Sequence, residues 1–410
     1  MTPERPARGR VELLAWATAG DEKAAVDAVA EEFTRAWPGH EVLDAVLPAG
    51  AADGHEALGA RLQAERPPDS FQVHPGAEVR EYVEGGLLGS LTEEVARWGL
   101  ADVLPRGLLD GVSVDGEVYA VPAGIHRLVL WGNEGVLSRA GLAVPAAGFE
   151  EFIDHLDALS ASGLRHPLAV GADWAQLGLL EGVLLATLGP ERFRSLWSKA
   201  ADWSGTDVAE ALTRYRALLA YTPPDRDHLT WAQAADLLRR GEAGYLFMGD
   251  WVLGAWERQG FRSYSHRPFP GADGTFQWLG DAFVLPRDAP NSEAAIRWLA
   301  TVGGPEGQRA FSLRKGSVPA RIDADRADYS TYRRDTMDDL AGNELVPSCA
   351  HGSACTRAEA AAVVSAVGRF SASGDIEALR SEIAAGVAAY GPGESGVDAR
   401  RVGSSRPRSS

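Results

Sequence analysis

A strand, a helix and a second strand follow one another near the N-terminus, and this order restricts the possible folds more than any other feature of the chain. Residues 11–16 form a short apolar run, residues 26–37 carry apolar side chains at helical spacing, and residues 40–46 form a second apolar run after Pro38-Gly39. A βαβ unit of this kind places its two strands in parallel in one sheet. The chain is therefore predicted to be an α/β protein.

The alternation of strands and helices continues toward the C-terminus. Strands are predicted at residues 70–73, 118–122, 125–131, 245–248 and 276–285, and helices at 57–65, 292–302, 358–370 and 376–390, with a mostly helical region over 149–240. The tail from Gly391 is rich in Ser and Arg and is predicted to be disordered. This pattern favours two α/β lobes between which the chain crosses.

Length and charge exclude several classes of function. A chain of 410 residues, 45% of them hydrophobic, can build a core in each of two domains. Its formal net charge of -17 would repel phosphate backbones and anionic lipid headgroups, so nucleic-acid and membrane-surface partners are not expected. No apolar stretch approaches the roughly 18 residues that span a bilayer; the longest, 177–188, is interrupted by Glu181.

The first ten residues carry charge without a following hydrophobic region, so they do not have the pattern of a signal peptide. Two interpretations follow. If an export leader is missing from this sequence, the protein is extracytoplasmic, at the cell surface or in the periplasm. If Met1 is the true start, it is cytoplasmic.

The two cysteines, Cys349 and Cys355, bracket His351. A local disulfide, a pair of reduced thiols and a metal site are all compatible with this spacing, and the metal site is least favoured because no second ligand cluster lies nearby. A disulfide would indicate an oxidising compartment. No metal and no cofactor are expected.

Several tryptophans stand beside carboxylates, amides or glycines rather than within apolar runs, namely Trp16, Trp174, Trp251 and Trp278. An indole among hydrogen-bonding groups suits a ligand with apolar faces and a polar rim, such as a sugar ring, although each could instead pack in a core. Gln72 and His74 follow a predicted strand, where open α/β sheets bind ligands. Asp281 lies inside an apolar strand and needs a partner if it is buried.

The common catalytic motifs are absent from the sequence. There is no Walker loop, His-Glu-x-x-His, Gly-x-Ser-x-Gly or dinucleotide-binding glycine motif, and the match of Ser312 and Lys315 to Ser-x-x-Lys lacks its companion motifs. Asp250 and Asp281 could form a glycosidase carboxylate pair, which is the main enzymatic alternative. Carboxylates also bind sugar hydroxyls without any reaction, so a non-enzymatic binder is favoured.

A series of short motifs identifies a family resemblance that extends from about residue 11 to about residue 389. The motifs are Leu14-Ala15-Trp16, Gly20-Asp21-Glu22, residues 67–74, Tyr119-Ala-Val-Pro122, Ile125-His126-Arg127, Met248-Gly249-Asp250-Trp251, Asp281-Ala-Phe-Val-Leu-Pro286, Lys315-Gly316-Ser317 and Ala350-His351-Gly352. In this order and spacing the chain resembles the extracytoplasmic solute-binding proteins of ABC sugar importers, and more closely the branch that binds glucose and related monosaccharides.

The resemblance implies a monomer with a two-lobed, periplasmic-binding-protein-like fold of type II, in which a hinge closes two lobes around a sugar. The lobes would comprise residues 8–117 plus 268–314 and residues 118–267 plus 315–390, with a disordered tail at 391–410. The partners would be a sugar ligand and an ABC transporter permease. The implied ligand-binding residues are Trp16, Glu22, Gln72, His74, His126, Arg127, Trp174, Trp231, Asp250, Trp251, Trp278, Asp281, Lys315 and His351.

Within this set, Trp16, Trp231 and Trp251 would offer aromatic faces, and side chains such as Lys315 would hydrogen-bond hydroxyls. His126 and Arg127 could instead form a hydrogen-bond network that spans the lobes. The chain departs from the family pattern at Ala17, where a second tryptophan is usual, and at Gly124, where an Asn is usual, which predicts a reshaped site. The alternative function is an intracellular relative that processes or senses sugars, with Asp250 or Asp281 as acid or base.

Overall fold

The computed structural model describes residues 9–15, 20–44, 54–142, 145–198 and 200–389. Trp16 and the tail from Gly391 lie outside these ranges. The strands are β1 (Arg10–Leu14), β2 (Glu41–Asp44), β3 (Ser70–Val73), β4 (Ser113–Val114), β5 (Glu117–Val118), β6 (Ala120–Asn133), β7 (His166–Ala169), β8 (Ala243–Gly249), β9 (Tyr264–Arg267), β10 (Thr275–Val284) and β11 (Glu344–Pro347).

Helices cover the strands on both sides. They are α1 (Gly20–Ala36), α2 (Gly54–Gln63), α3 (Ala77–Glu84), α4 (Thr92–Arg97), α5 (Arg106–Gly111), α6 (Glu134–Arg139), α7 (Phe149–Ala161), α8 (Trp174–Ser195), α9 (Thr206–Leu219), α10 (Trp231–Arg239), α11 (Val252–Arg258), α12 (Ser292–Gly303), α13 (Pro305–Lys315), α14 (Thr331–Gly342), α15 (Arg357–Ser373) and α16 (Ile376–Ala389). The predicted α/β class is confirmed.

The main sheet runs in the order β2-β1-β3-β10-β6-β8-β7, with β11 added beside β10 and β9 beside β6. β1 pairs in parallel with both β2 and β3, as the N-terminal βαβ pattern predicts. β10 runs antiparallel to β3 and to β6, and its last three residues, 282–284, pair with residues 71–73 of β3. The carboxyl end of β3 therefore lies beside a strand that returns from late in the chain.

A single long strand, β6, connects the two halves of this sheet. The sequence predicts separate strands at 118–122 and 125–131, and this division is wrong: β6 runs unbroken from Ala120 to Asn133, and all fourteen of its residues are buried. A strand buried on both faces has no alternation of polar and apolar residues to mark its length, and Pro122 imitates a strand end. The first half of β6 pairs with β10 and its second half with β8.

Buried side chains collect on either side of β6 and define two lobes. The first cluster joins β1, β3, α1 and α12 around Phe33, Phe71 and Trp298. The larger of the remaining clusters joins α7, α8, α9 and α15 around Phe152 and Tyr215. Burial of one large apolar side chain contributes roughly 1.5–3 kcal/mol to folding. Because each cluster contains many such side chains, each lobe has a core of its own. The exact lobe boundaries given above stay a prediction.

Several elements escape the sequence patterns. β7 lies within the region predicted as mostly helical. The sequence does not reveal it, because a buried strand of four residues is too short to show a hydrophobic period. α13 and α14 were also not predicted, although both carry recognisable ends: Pro305 begins α13, Gly316 ends it with a φ of 89°, and Ser330 caps α14. Across the described ranges, no helix is both long and apolar enough to cross a membrane.

Candidate functional site

Three predicted ligand-binding residues meet where β3, β10 and α13 converge in the first lobe. Asp281 on β10 is only 4% exposed, and it accepts a hydrogen bond from Nε2 of Gln72 on β3 at 2.7 Å. Nζ of Lys315, the last residue of α13, lies 3.6 Å from Oδ2 of Asp281 and also pairs with Glu22 on α1. Although burial opposes both charges, Lys315 keeps the pKa of Asp281 below its usual value, and Asp281 raises the pKa of Lys315. Both side chains are therefore charged.

His74 extends this polar group toward the second lobe. Its backbone N–H and its Nδ1 contact Oε2 of Glu78 at 2.8 and 2.9 Å, and Glu78 raises the pKa of His74 against the effect of burial. The following turn touches the loop at residues 348–355, since Ala77 N–H donates to the carbonyl of Ser353 at 2.9 Å. Gly76 makes this approach possible, because a Cβ there would lie 2.0 Å from the Ser353 oxygen.

A second carboxylate, Asp250, lies just after β8 and is 1% exposed. Its Oδ1 is 2.5 Å from Nδ1 of His126 on β6, and its Oδ2 accepts from the Tyr332 hydroxyl at 3.3 Å. A carboxylate accepts hydrogen bonds, so His126 donates through Nδ1–H. Nε2 of His126 is buried and has no partner among the described residues.

Arg127, the neighbour of His126 on β6, points to the opposite face of the sheet. Its guanidinium pairs with Asp339 on α14, donates to Tyr332 at 3.1 Å and lies over the rings of Tyr332 and Phe276. These contacts join the connecting strand β6 to α14. The hydrogen bonds of Arg127 continue through Tyr332 and Asp250 to His126. A ligand-binding role for His126 and Arg127 stays a prediction.

Aromatic rings form the other side of the site in the second lobe. The ring of Trp251 lies 5.7 Å from His126, 5.8 Å from Trp174 and 5.3 Å from His351, and Trp174 lies 5.0 Å from His351. Gly249 is required here, because a Cβ would come within 1.8 Å of the Trp251 indole. These aromatic residues are up to 225 positions apart in the sequence, and only the fold brings them together.

Trp174 begins α8 directly after an unusual backbone turn. Asp173 has a φ of 56°, a conformation that costs a non-glycine residue of order 1–3 kcal/mol and often marks functional positions. This turn directs the first residue of α8 toward Trp251 and His351.

A short disulfide-closed loop carries His351 into the site. Cys349 and Cys355 are joined, which decides between the interpretations left open by the sequence. Glu181, fully buried in α8, accepts hydrogen bonds from the Ser348 hydroxyl at 2.8 Å and from the backbone N–H of Cys349 at 2.5 Å. Sequence reasoning missed the role of Glu181, although a carboxylate that interrupts an apolar helix signals a buried polar contact.

The remaining predicted residues have other surroundings. Trp278 is 2% exposed and belongs to the first hydrophobic cluster, and Trp231 packs against a smaller cluster at the start of α10. Glu22 is exposed and reaches the site through its ion pair with Lys315. Gly124 leaves space that the Ser317 hydroxyl fills, since a Cβ at Gly124 would lie 2.5 Å from that oxygen. A ligand-binding role for Trp278, Trp231 and Glu22 stays a prediction.

No group of three or more His, Cys, Asp or Glu side chains in the described part of the chain could hold a metal ion. The chemistry available to the site is thus hydrogen bonding by charged and amide groups together with aromatic contact. Such a site can recognise a small polar ligand that has apolar faces.

The family model for bacterial extracellular solute-binding proteins matches residues 28–335, which is more than half of the chain. The chain belongs to this family. An uncharacterised ABC-transporter extracellular-binding protein of Pyrococcus horikoshii is 28% identical over 383 residues, covering 91% of this chain and 86% of that protein. The xylose/arabinose-binding protein XacG of Haloferax volcanii is 29% identical over 393 residues, covering 92% and 83%.

Solved structures show the same architecture as this solute-binding protein. The bacterial solute receptor AcbH, described as preferring β-D-galactopyranose, superposes with a TM-score of 0.79 at 19% identity and covers 93% of this chain and 98% of its own. A chitin oligosaccharide binding protein gives a TM-score of 0.76 at 20% identity, covering 92% and 97%. At these identities the likeness establishes the fold alone, and the predicted binding-protein fold is confirmed.

Proposed function

We propose that this solute-binding protein captures a monosaccharide, or a close analogue, between its lobes and delivers it to an ABC importer. The observation that carries the proposal is the position of His126 between a polar group and an aromatic group. On β6 it pairs with Leu279, two residues before Asp281 on β10, and its ring lies 5.7 Å from that of Trp251. The polar group is Gln72, Asp281 and Lys315; the aromatic group is Trp174, Trp251 and His351.

Three buried polar atoms in this region have no hydrogen-bond partner among the described residues. They are Oε1 of Gln72, Nε2 of His126 and Nε2 of His351. An unsatisfied buried polar atom costs about 1–3 kcal/mol, so such atoms are rare unless a ligand or water completes them. Sugar hydroxyls both donate and accept, and they would satisfy all three atoms.

Indoles provide the second part of sugar recognition. The C–H faces of a pyranose or furanose ring are apolar and pack well against aromatic side chains, while the hydroxyl rim needs hydrogen-bonding partners. Trp251 packs against the core of the second lobe and contacts Trp174, whereas Asp281 is hydrogen-bonded to Gln72 on the first. A sugar that contacts both lobes would favour the closed arrangement by its differential affinity.

The names of relatives support a sugar as the ligand. The Haloferax relative is named for xylose and arabinose, one from Saccharolobus solfataricus for glucose and one from Rhizobium meliloti as a probable sugar-binding periplasmic protein. The ligands in these names differ from one relative to another, so we extend only the sugar class to this chain. The buried carboxylates Asp281 and Asp250 would each disfavour an anionic sugar by charge repulsion.

Family membership also supports an extracytoplasmic location and a transporter permease as partner. The disulfide between Cys349 and Cys355 agrees with that location, because disulfides persist in oxidising compartments. In this proposal the protein binds its sugar without changing it.

Isothermal titration calorimetry against pentoses, hexoses, disaccharides and sugar phosphates tests the proposal. We expect one or a few neutral monosaccharides to bind with a micromolar or lower Kd. This corresponds to a binding free energy of about -8 kcal/mol or more negative. The sugar recovered after long incubation should be unchanged. If no sugar binds, or if a new product accumulates, the proposal is wrong; product formation would favour the enzymatic alternative with Asp250 or Asp281.

A further inference from the structure

Three side chains form a hydrogen-bonded row that leads from the interior of the second lobe to the aromatic group of the site. Glu181 is fully buried in α8, and its Oε2 lies 2.8 Å from the Ser348 hydroxyl. The same hydroxyl lies 3.0 Å from Nδ1 of His351. Nε2 of His351 has no partner among the described residues, and the ring contacts Trp174 and Trp251.

The number of protons in this row fixes the direction of each hydrogen bond. An ionised carboxylate only accepts, so the single Ser348 hydroxyl proton points to Glu181. The Ser348 oxygen can then only accept from His351, whose Nδ1 must carry the proton. A neutral imidazole has one N–H, so Nε2 of His351 presents a lone pair to the site.

A neutral Glu181 reverses the row. Its carboxyl O–H would donate to the Ser348 oxygen, and the Ser348 hydroxyl would donate to Nδ1 of His351. One proton is taken up at Glu181, while the imidazole proton moves from Nδ1 to Nε2. The imidazole stays neutral throughout, and Nε2 changes from an acceptor to a donor.

We propose that Glu181 acts as a positioning residue that sets, through Ser348, whether His351 accepts or donates a hydrogen bond at the ligand site. The proposal rests on the proposed function in that it places His351 against the sugar. With Glu181 ionised, Nε2 selects a ligand hydroxyl that donates; with Glu181 neutral, it selects an oxygen that accepts.

The surroundings of the row support this role. Burial raises the pKa of Glu181 to about 7, against the hydrogen bonds from Cys349, Ser348 and Ala350, so both protonation states are accessible near neutral pH. Burial also lowers the pKa of His351 to about 3, and the charges of His74 and His126 add to this effect.

Two titratable side chains in the described residues act electrostatically on His351, namely His74 and His126. Each is hydrogen-bonded to a carboxylate, His74 to Glu78 and His126 to Asp250. Burial alone raises the pKa of Glu181, hydrogen bonds oppose the rise, and no charged side chain in the described residues is among the causes.

Nitrogen-15 NMR of the histidine side chains in the full chain tests the proposal, because it identifies which imidazole nitrogen carries the proton. In the wild type we expect His351 to be protonated at Nδ1 at about pH 9 and at Nε2 at about pH 5, with a midpoint near the pKa of Glu181. Glu181→Gln places an amide N–H toward Ser348 and should hold His351 in the Nε2–H form at both pH values.

Ser348→Ala removes the middle of the row and should abolish the pH dependence, and Ser348→Thr should restore it. The matched control is Glu359→Gln, which changes another largely buried carboxylate of the same lobe and should leave the His351 tautomer as in the wild type. An unchanged tautomer across the pH range in the wild type, or a pH-dependent one in Ser348→Ala, would overturn the proposal.

Calorimetry with the best sugar from the binding screen separates this proposal from the function on which it rests. A tautomer that follows Glu181 in a protein that binds no sugar would support the row and refute the proposed function. Sugar binding with a fixed His351 tautomer would refute the row and leave the proposed function intact.

Discussion

The two sides of the candidate site are built in different ways. On the first lobe, Gln72, Asp281 and Lys315 form a buried group of charges and hydrogen bonds whose members depend on one another. On the second lobe, Trp174, Trp251 and His351 contact one another through their rings, and a loop closed by a disulfide holds the histidine in place.

This difference predicts two kinds of failure. Removing one partner of a buried ion pair leaves an uncompensated charge and typically costs about 3–5 kcal/mol, whereas an aromatic contact contributes roughly 0.5–1.5 kcal/mol beyond its buried area. Removal of a side chain from the charged side should therefore cost more binding free energy than removal of one from the aromatic side. The aromatic side should adjust affinity by degrees.

The largest effect is expected from Asp281→Ala. This change leaves Lys315 and Gln72 buried without their shared partner, and we expect sugar affinity to fall by about a hundredfold or more, or about 3 kcal/mol. Calorimetry measures the loss. The control is Asp288→Ala, which removes an exposed carboxylate just after β10 and should bind the sugar as the wild type does. Retention of full affinity in Asp281→Ala would remove the charged side from the site.

The next effect concerns the pH dependence of stability. Because the pKa of Glu181 is raised in the folded protein from 4.5 to about 7, the folded state binds the proton more tightly than the unfolded state. Protonated Glu181 therefore contributes to the free energy of unfolding. This contribution is fully present below about pH 4.5 and is lost as the pH rises through about 7, by about 3 kcal/mol in all.

Urea unfolding of the wild type and of Glu181→Gln from about pH 4 to about pH 8 measures it. The free energy of unfolding of the wild type should fall relative to the variant as the pH rises. A constant difference between the two proteins would show that Glu181 keeps one protonation state.

A smaller effect is expected from opening the loop that carries His351. The double variant Cys349→Ala/Cys355→Ala removes a disulfide between residues six positions apart. The loop-closure entropy of such a short link corresponds to about 2 kcal/mol of stability. Thermal unfolding should show the loss, and sugar affinity should fall in parallel because His351 is less fixed. Wild-type affinity in this variant would show that His351 needs no support from the loop.

The smallest effect is expected from Trp251→Ala. Loss of one aromatic face should weaken sugar binding by roughly tenfold, or about 1.4 kcal/mol, and Trp251→Phe should recover part of it. Gly249→Ala provides an independent check, since its Cβ would collide with the indole and displace it without removing it. If Trp251→Ala abolished binding as completely as Asp281→Ala, the contrast between the two sides would fail.

Turn residues and helix spacing were sufficient to predict the N-terminal part of the sheet. β3 was predicted at its observed bounds although all four of its residues are buried, because Pro67-Pro68-Asp69 and Pro75-Gly76 mark its ends. The parallel pairing of β1 and β2 followed from the helix between them. β6 was not predicted as one strand, because burial on both faces erases the alternation from which strand length is read. A long strand that is buried on both faces is thus harder to predict from the sequence than a short buried strand between turn residues.

The same distinction holds for the candidate site. Asp281 and Asp250 could be selected from the sequence because a carboxylate in or beside an apolar strand needs a partner. The hydrogen bond between Glu181 and Ser348 joins residues 167 positions apart, and no local pattern encodes such a pairing. Sequence spacing identified candidate members of the site, while only the fold shows which of them touch.

The most direct test of the central claim is a crystal structure of the protein with the monosaccharide that binds best in the calorimetric screen. The account predicts a single sugar between the lobes, with a hydroxyl bound to Asp281 and a ring face against Trp251. A sugar that contacts only one of these two residues, or that binds away from both, would contradict it.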